Sequence, residues 1–391
     1  MRLYWRVLGR VRAEYSTSLV LVDDEGHVWG QQDSLHPGGY PTTRWETDAY
    51  VADDHPLLVL PGTPPGRYTL KVGAYDLRSG RQLDVIDERG APAGTAAAIG
   101  EIEVVRPASP PDVASLGMAR TIQAPLSADL ELLGASLPDV PVYPGARVSF
   151  TLFWRALGRP AMDYQTLASL GRPPSPDSWQ AAWETGGPSY PTTDWEPGEV
   201  IRIQHDLLIP GDASAGELPL WIVLRPAAGS VGPPVEIGRV QVLPIERRWE
   251  VPPMEVTLGA RFGPIRLLGY DLDRREVRRG EALHLRLYWQ AAEPITEEYT
   301  VFTHLLDAQE HISAQEDSVP VCGTRPTTSW AQGEVIVDDY DLVVRDSASG
   351  GAHCLEIGLY EPVSGRRLPL LDPAGREQGD NIRVDAITVF P

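Results

Sequence analysis

Tyr40-Pro41-Thr42-Thr43-Arg44-Trp45, Tyr190-Pro191-Thr192-Thr193-Asp194-Trp195 and Arg325-Pro326-Thr327-Thr328-Ser329-Trp330 are three versions of one stretch, and their recurrence decides how the chain is read. The tryptophans lie 150 and 135 residues apart. Self-similarity at a near-constant period marks an array of like units. The period has the size of a small domain rather than of a solenoid turn.

Outward from these stretches, the pattern is that of short strands. Leu283, Leu285, Leu287 and Trp289 alternate with His284, Arg286, Tyr288 and Gln290, and Val148, Phe150, Leu152 and Trp154 repeat the alternation in phase. Period-2 alternation is the mark of a half-buried strand. Tyr15–Leu21, Tyr164–Leu170 and Tyr299–Leu305 form a second column, and Tyr50–Leu60, Val200–Ile209 and Val335–Val344 a third. The 37 Gly and 37 Pro fall between such runs, as turn signals do. Seven or eight strands per unit and no helical period predict an all-β chain of three tandem antiparallel β-sandwich modules of immunoglobulin-like type. A jelly roll is the nearest alternative. The modules span 1–106, 127–245 and 263–391, with linkers at 107–126 and 246–262. The first opens at Leu3-Tyr4-Trp5, which matches Leu287-Tyr288-Trp289, so it lacks its N-terminal strands and is expected to have an open edge. The expectation is that the chain belongs to a longer protein or that its start is assigned too late.

Composition excludes several classes. The net charge is −20 and Lys71 is the single lysine, a balance that repels phosphate backbones and argues against nucleic acid as a partner. No run reaches the 18 or so apolar residues of a membrane span. Arg6, Arg10 and Arg12 interrupt the start, so no signal peptide is read there. There is no nucleophile elbow, phosphate-binding glycine loop or dinucleotide fingerprint, and no histidine pair at metal-ligand spacing. Neither a cofactor nor a metal is expected, and the chain reads as not an enzyme.

Several residues remain candidates. Trp5, Trp154 and Trp289 are in core phase. Trp45, Trp195 and Trp330 follow Pro-Thr-Thr in a connection, and two readings compete: a plug closing one end of the sandwich, or an exposed platform for a sugar ring or partner protein. The second makes Tyr40, Trp45, Tyr190, Trp195 and Trp330 the candidate binding residues. The plug is preferred, because Arg44, Asp194 and Ser329 vary beside the tryptophan where a sugar site would hold a polar residue constant. His55, His205 and Tyr340 share one core-phase column and read as packed side chains with a polar tip. The two residues of Asp53-Asp54 and of Asp338-Asp339 point to opposite faces of their strand, so neither pair serves as an acid and base; a solvated edge is expected, with calcium as the second reading. Cys322 and Cys354 are either a disulfide or two free thiols.

The set Leu267-Leu268-Gly269-Tyr270, Leu287-Tyr288-Trp289, Tyr299-Thr300-Val301-Phe302, Pro326-Thr327-Thr328-Ser329-Trp330 and Gly358-Leu359-Tyr360 resembles a family of bacterial β-sandwich modules. These often follow the membrane-embedded part of glycosyltransferase-like proteins that use lipid-linked sugars. The second unit departs from the pattern, with Arg225-Pro226 where Tyr75-Asp76 and Tyr360-Glu361 stand. The resemblance implies a non-catalytic, extracytoplasmic accessory region of a larger cell-envelope protein, with a cell-surface glycan or an envelope protein as partner. Carbohydrate binding through the loop aromatics is the alternative, and a glycoside hydrolase a weaker one.

Overall fold

A computed structural model describes residues 1–173 and 180–391. The chain is all-β, with short 3-10 turns between mostly antiparallel strands. It divides into two compact units, and the division does not follow the repeats. The first unit comprises 1–137, 149–205 and 220–238; the second comprises 138–148, 206–219 and 239–391. Segment 127–245 therefore contributes to both.

In the second unit, a six-stranded sheet runs in the order Val335–Val343, Ala282–Ala291, Ile265–Leu272, Val256–Phe262, Leu370–Leu371, Glu377–Gly379. A five-stranded sheet runs Glu276–Arg278, Ile382–Phe390, Gly351–Tyr360, Thr300–Leu306, Ile312–Ser318, with its first pair parallel. Leu283, Leu285, Leu287 and Trp289 from the first sheet share one core with Val301, Leu305, Leu355 and Ile357 from the second. The alternation read from the sequence is thus the inward face of a strand between two packed sheets. At Gly269 the pairing slips by one residue, and a Cβ there would collide with the Val256 carbonyl. Gly134 sits at the same slip against the Arg120 carbonyl, so the glycine of Leu-Leu-Gly marks a bulge where a neighbouring backbone comes too close for a side chain.

The first unit holds the four-stranded sheet Val28–Ser34, Tyr15–Val22, Gly66–Asp76, Ala96–Val104 and the two-stranded pair Arg2–Arg6 with Tyr50–Asp54. Most of two further four-stranded sheets belongs to it. One runs Ala181–Glu184, Tyr164–Leu170, Gly216–Pro226, Val235–Val242, and the other Val200–Leu208, Arg147–Ala156, Leu130–Ser136, Arg120–Pro125. Trp154 is fully buried here, as Trp289 is in the second unit. Trp5 is not: expected in a core from its phase, it is only half-buried. Its strand pairs with Tyr50–Asp54 alone, whereas Ala282–Ala291 is flanked by Ile265–Leu272 and Val335–Val343. The core around Leu19, Leu21, Trp29, Tyr68 and Leu70 is correspondingly small.

This difference sets an expectation for stability. Trp289→Ala should cost about 3–5 kcal/mol, as other buried large-to-alanine changes do, and Trp5→Ala well under half as much. Denaturant titration of the full chain, following near-ultraviolet circular dichroism, measures both.

Candidate functional site: the Pro-Thr-Thr-x-Trp loops

Each repeated stretch folds the same way. The proline is extended, the next three residues make a 3-10 turn (Thr42–Arg44, Thr192–Asp194, Thr327–Ser329), and the tryptophan N–H donates to the first threonine's carbonyl at 3.0–3.1 Å. That threonine's hydroxyl explains why it recurs. Its oxygen accepts from the backbone N–H of Tyr15, Tyr164 or Tyr299 at 2.8, 3.1 and 3.0 Å. Its proton is directed to a carbonyl just upstream at Ala13 or Glu297, and in the second loop to Asp163 Oδ1 at 3.2 Å, nearer than the Met162 carbonyl at 3.4 Å. The loop is thereby pinned to the start of the strand beside it. The second threonine is less uniform: Thr43 is exposed, Thr193 bonds Asp163, and Thr328 donates to the Gly145 carbonyl at 2.9 Å.

Trp195 and Trp330 are buried, 0% and 1% exposed, and donate Nε1–H to the carbonyls of Tyr190 and Arg325 at 3.3 and 3.1 Å. Neither ring has a face to offer a sugar, so the platform reading fails at both; each fills the end of its core. Trp45 is half-buried and Tyr40 is 39% exposed. Tyr190, also a candidate for binding, is buried and engaged from within. Its hydroxyl donates to Glu199 at 2.9 Å and accepts from Arg106 Nη2 at 2.5 Å. Burial pushes its phenol up to about 12, the Glu199 bond adding to the shift and Arg106 opposing it.

A carboxylate four residues beyond the tryptophan organises two of the loops. Glu199 accepts from the Glu196 N–H at 2.9 Å, and Glu334 from the Ala331 N–H at 2.9 Å. Both are buried, Glu334 completely. Each receives an arginine from far upstream. Arg106 Nε lies 3.3 Å from Glu199, and its Nη2 donates to the Asp194 carbonyl at 2.6 Å. Arg247 Nη1 lies 2.5 Å from Glu334 and 3.2 Å from the Ser329 carbonyl, while Nη2 donates to the Gly211 carbonyl. Asp194 and Ser329 are the same position of the repeat, so the two arginines make the same bonds. The place of Tyr190 is taken by Arg325, whose Nη2 reaches Glu334 at 2.7 Å. The first loop has Ala49 where the glutamate stands.

The histidine and aspartate columns also differ from expectation. Asp54 and Asp339 are indeed solvated, paired with Arg2 and Arg286. Asp53 and Asp338 are instead buried, 2% and 1% exposed, which corrects the solvated-edge reading for half of each pair. Asp53 accepts from Thr17 at 2.7 Å and contacts His55 Nε2 at 2.8 Å. Burial works to raise its pKa, yet the bonds from Thr17 and His55 prevail and hold the carboxyl below its usual range. Asp338 accepts from Tyr340 Oη at 2.6 Å and from the Val321 N–H at 2.8 Å. Here burial prevails and pushes the carboxyl up to about 6, with Tyr340 and Val321 opposing. Where Ile203 replaces the aspartate, His205 stacks on Trp183 at 4.7 Å instead. The column is a set of packed polar tips, and no residue in it stands open to a substrate. The Val321 bond fixes a turn in which Val321 and Cys322 both have positive φ, 56° and 50°. Such values cost a β-branched residue more than most. Cys322 and Cys354 are free thiols, Cys322 exposed and Cys354 half-buried.

Asp23, Glu25 and His27 carry ligand atoms within 4.8 Å of one another. Asp23 serves its own hairpin, accepting from the Glu25 and His27 N–H groups and from Trp29 Nε1. Among the described residues, no helix is long and apolar enough to cross a membrane.

No family model matches the chain, and no curated protein matches it. It is similar to a crystal structure of Spo0M, the sporulation control protein of Bacillus subtilis, at 12% identity over 67% of this chain and 91% of that one. The TM-score is 0.22, a value at which the likeness carries no argument.

The Asp338 carboxyl yields a pH prediction. Its folded pKa is above the unfolded one, so its contribution to stability is fully present below about pH 4 and is lost as pH rises toward about 6. The advantage of wild type over Asp338→Asn should therefore shrink by up to about 1.4 kcal/mol per pH unit across that window. Urea unfolding of both proteins at pH 4, 5, 6 and 7 tests it; parallel stability curves would show that the group does not titrate there.

Proposed function

We propose that this chain is a non-catalytic array of three tandem β-sandwich modules of immunoglobulin-like type. In this reading it is a spacer and interaction region of a larger cell-envelope protein, on the extracytoplasmic side. The observation that carries the non-catalytic part is the repeated clasp: Arg106 on Glu199 and Arg247 on Glu334. In both loops the polar atoms flanking the tryptophan are engaged by a segment that leaves the preceding repeat. Loops committed to fastening a linker are structural joints. Their rings are closed to solvent, which disfavours glycan binding through Trp195 and Trp330. The envelope setting rests on the resemblance of Leu267–Tyr270, Leu287–Trp289 and Pro326–Trp330 to modules attached to glycosyltransferase-like proteins.

A joint should fail in a particular way when the clasp is cut. Removing one partner of a buried ion pair leaves a charge without compensation, a loss of about 3–5 kcal/mol in general. Arg247→Ala should fall at the low end, because Arg325 remains on Glu334. Double-mutant comparison with Glu334→Gln should recover part of the loss, since no charge is then stranded. Limited proteolysis should show faster cleavage within 244–262 for Arg247→Ala, and small-angle scattering should show increased flexibility for Arg106→Ala with Arg247→Ala. Unchanged cleavage and scattering in both variants would remove the joint reading.

A further inference from the structure

The second unit contains two adjoining clefts that border the clasp at Arg247 and Arg325. One, of about 780 Å3, is walled by Pro141–Ala146, Pro244–Glu246 and Gly323–Pro326. The other, of about 620 Å3, is walled by Glu246–Glu250 and Val335–Val337. They share Glu246 and Arg325, so they flank the same short piece of chain. Each is of the size that holds a small ligand. Each also contains one aromatic ring largely open to water: Tyr143 in the first and Trp249 in the second, both 56% exposed.

We propose that these clefts form a binding site for a neutral oligosaccharide, with Tyr143 and Trp249 as the stacking residues. This goes beyond the joint reading and places glycan recognition away from the buried loop tryptophans. Three observations carry it. First, the walls are fixed in advance. Leu243 N–H donates to the Val142 carbonyl at 2.8 Å, Val335 N–H to the Arg248 carbonyl at 2.8 Å, and Arg325 Nη1 to the Glu246 carbonyl at 3.3 Å. Gly145, at φ 84°, lies so close to the Ser329 backbone that a Cβ would overlap it. A ligand therefore finds the site formed rather than ordering it, which lowers the entropic cost of binding. Second, the walls carry accepting and donating groups together: Glu246, Glu298 and Glu250 stand with Arg248, while Arg247 and Arg325 beside them are tied to Glu334. On a chain of net charge −20, such a patch disfavours a polyanion. Carboxylates that accept and the Arg248 guanidinium that donates suit the hydroxyls of a neutral sugar, each of which does both. Third, aromatic rings with an exposed apolar face beside such polar groups bind a ligand that is apolar on one side and hydroxylated at its rim.

The test uses the full chain. An array of neutral glycans (linear α- and β-glucans, mannans, xylans and oligomers of N-acetylglucosamine) is screened at pH 7, and hits are titrated by tryptophan fluorescence. The expected result is binding of at least one neutral oligosaccharide, weakened tenfold or more by Tyr143→Ala and by Trp249→Ala. Tyr50→Ala, an exposed aromatic in the first unit, should leave it unchanged. Both cleft residues are on the surface, so thermal unfolding should be unaltered, and an unaltered transition shows that any loss is a loss of binding. Absence of binding to every neutral glycan, binding only of charged glycans or of peptides, or binding insensitive to both substitutions would each overturn the proposal.

Discussion

A carboxylate that is removed from water must be met by a cation and by hydrogen-bond donors, and in this chain that requirement falls on Glu199 and Glu334. Each closes its own turn through a backbone N–H three residues before it, and each then needs a guanidinium that its own repeat does not fully supply. Arg106 and Arg247 bring it from the segments that leave the preceding strands. The planar fork of arginine suits the task, because one group must satisfy a carboxylate and a carbonyl at once. Around that pair everything else is consistent: the buried tryptophan beneath, the threonine that pins the turn, and the Tyr190 or Arg325 that fills the last site on the carboxylate.

How far such features can be read from a sequence depends on the range of the interaction. The strand of Leu283 to Trp289 was legible because alternation is local. So was the burial of Trp195 and Trp330, through the constancy of Pro-Thr-Thr against a varying neighbour. Trp5 misled, since the same phase places a side chain on the inner face only if a second layer covers it, and its strand has one partner. Asp53 and Asp338 misled for a different reason. Two consecutive acids look solvated, although the alternation that sends Asp54 outward necessarily sends Asp53 inward, and Tyr340 or His55 two residues on meets it there.

The clasp itself could not be read. Glu199 and Glu334 share a position, but Ala49 interrupts the column, and the arginines stand at unequal distances before their loops. An ion pair between segments so far apart leaves no spacing to detect. The same holds for the division into two compact units, which cuts through 127–245. Period in sequence records how the chain is patterned, whereas compactness records which surfaces meet.

The clasp also bears on what could be exchanged between such proteins. A repeat cut out between 107 and 126, or between 246 and 262, would carry a buried glutamate but leave its arginine behind on one side of the cut at Arg106 or Arg247. The transferable piece is therefore offset from the visible repeat: it begins upstream of the arginine and ends before the next one. Recombination that respected the repeated motif alone would part Glu199 from Arg106 and leave Glu334 with Arg325 alone, while recombination at the offset boundary would keep both clasps whole. Heredity in a chain of this kind is constrained by a bond that the repeats themselves do not display.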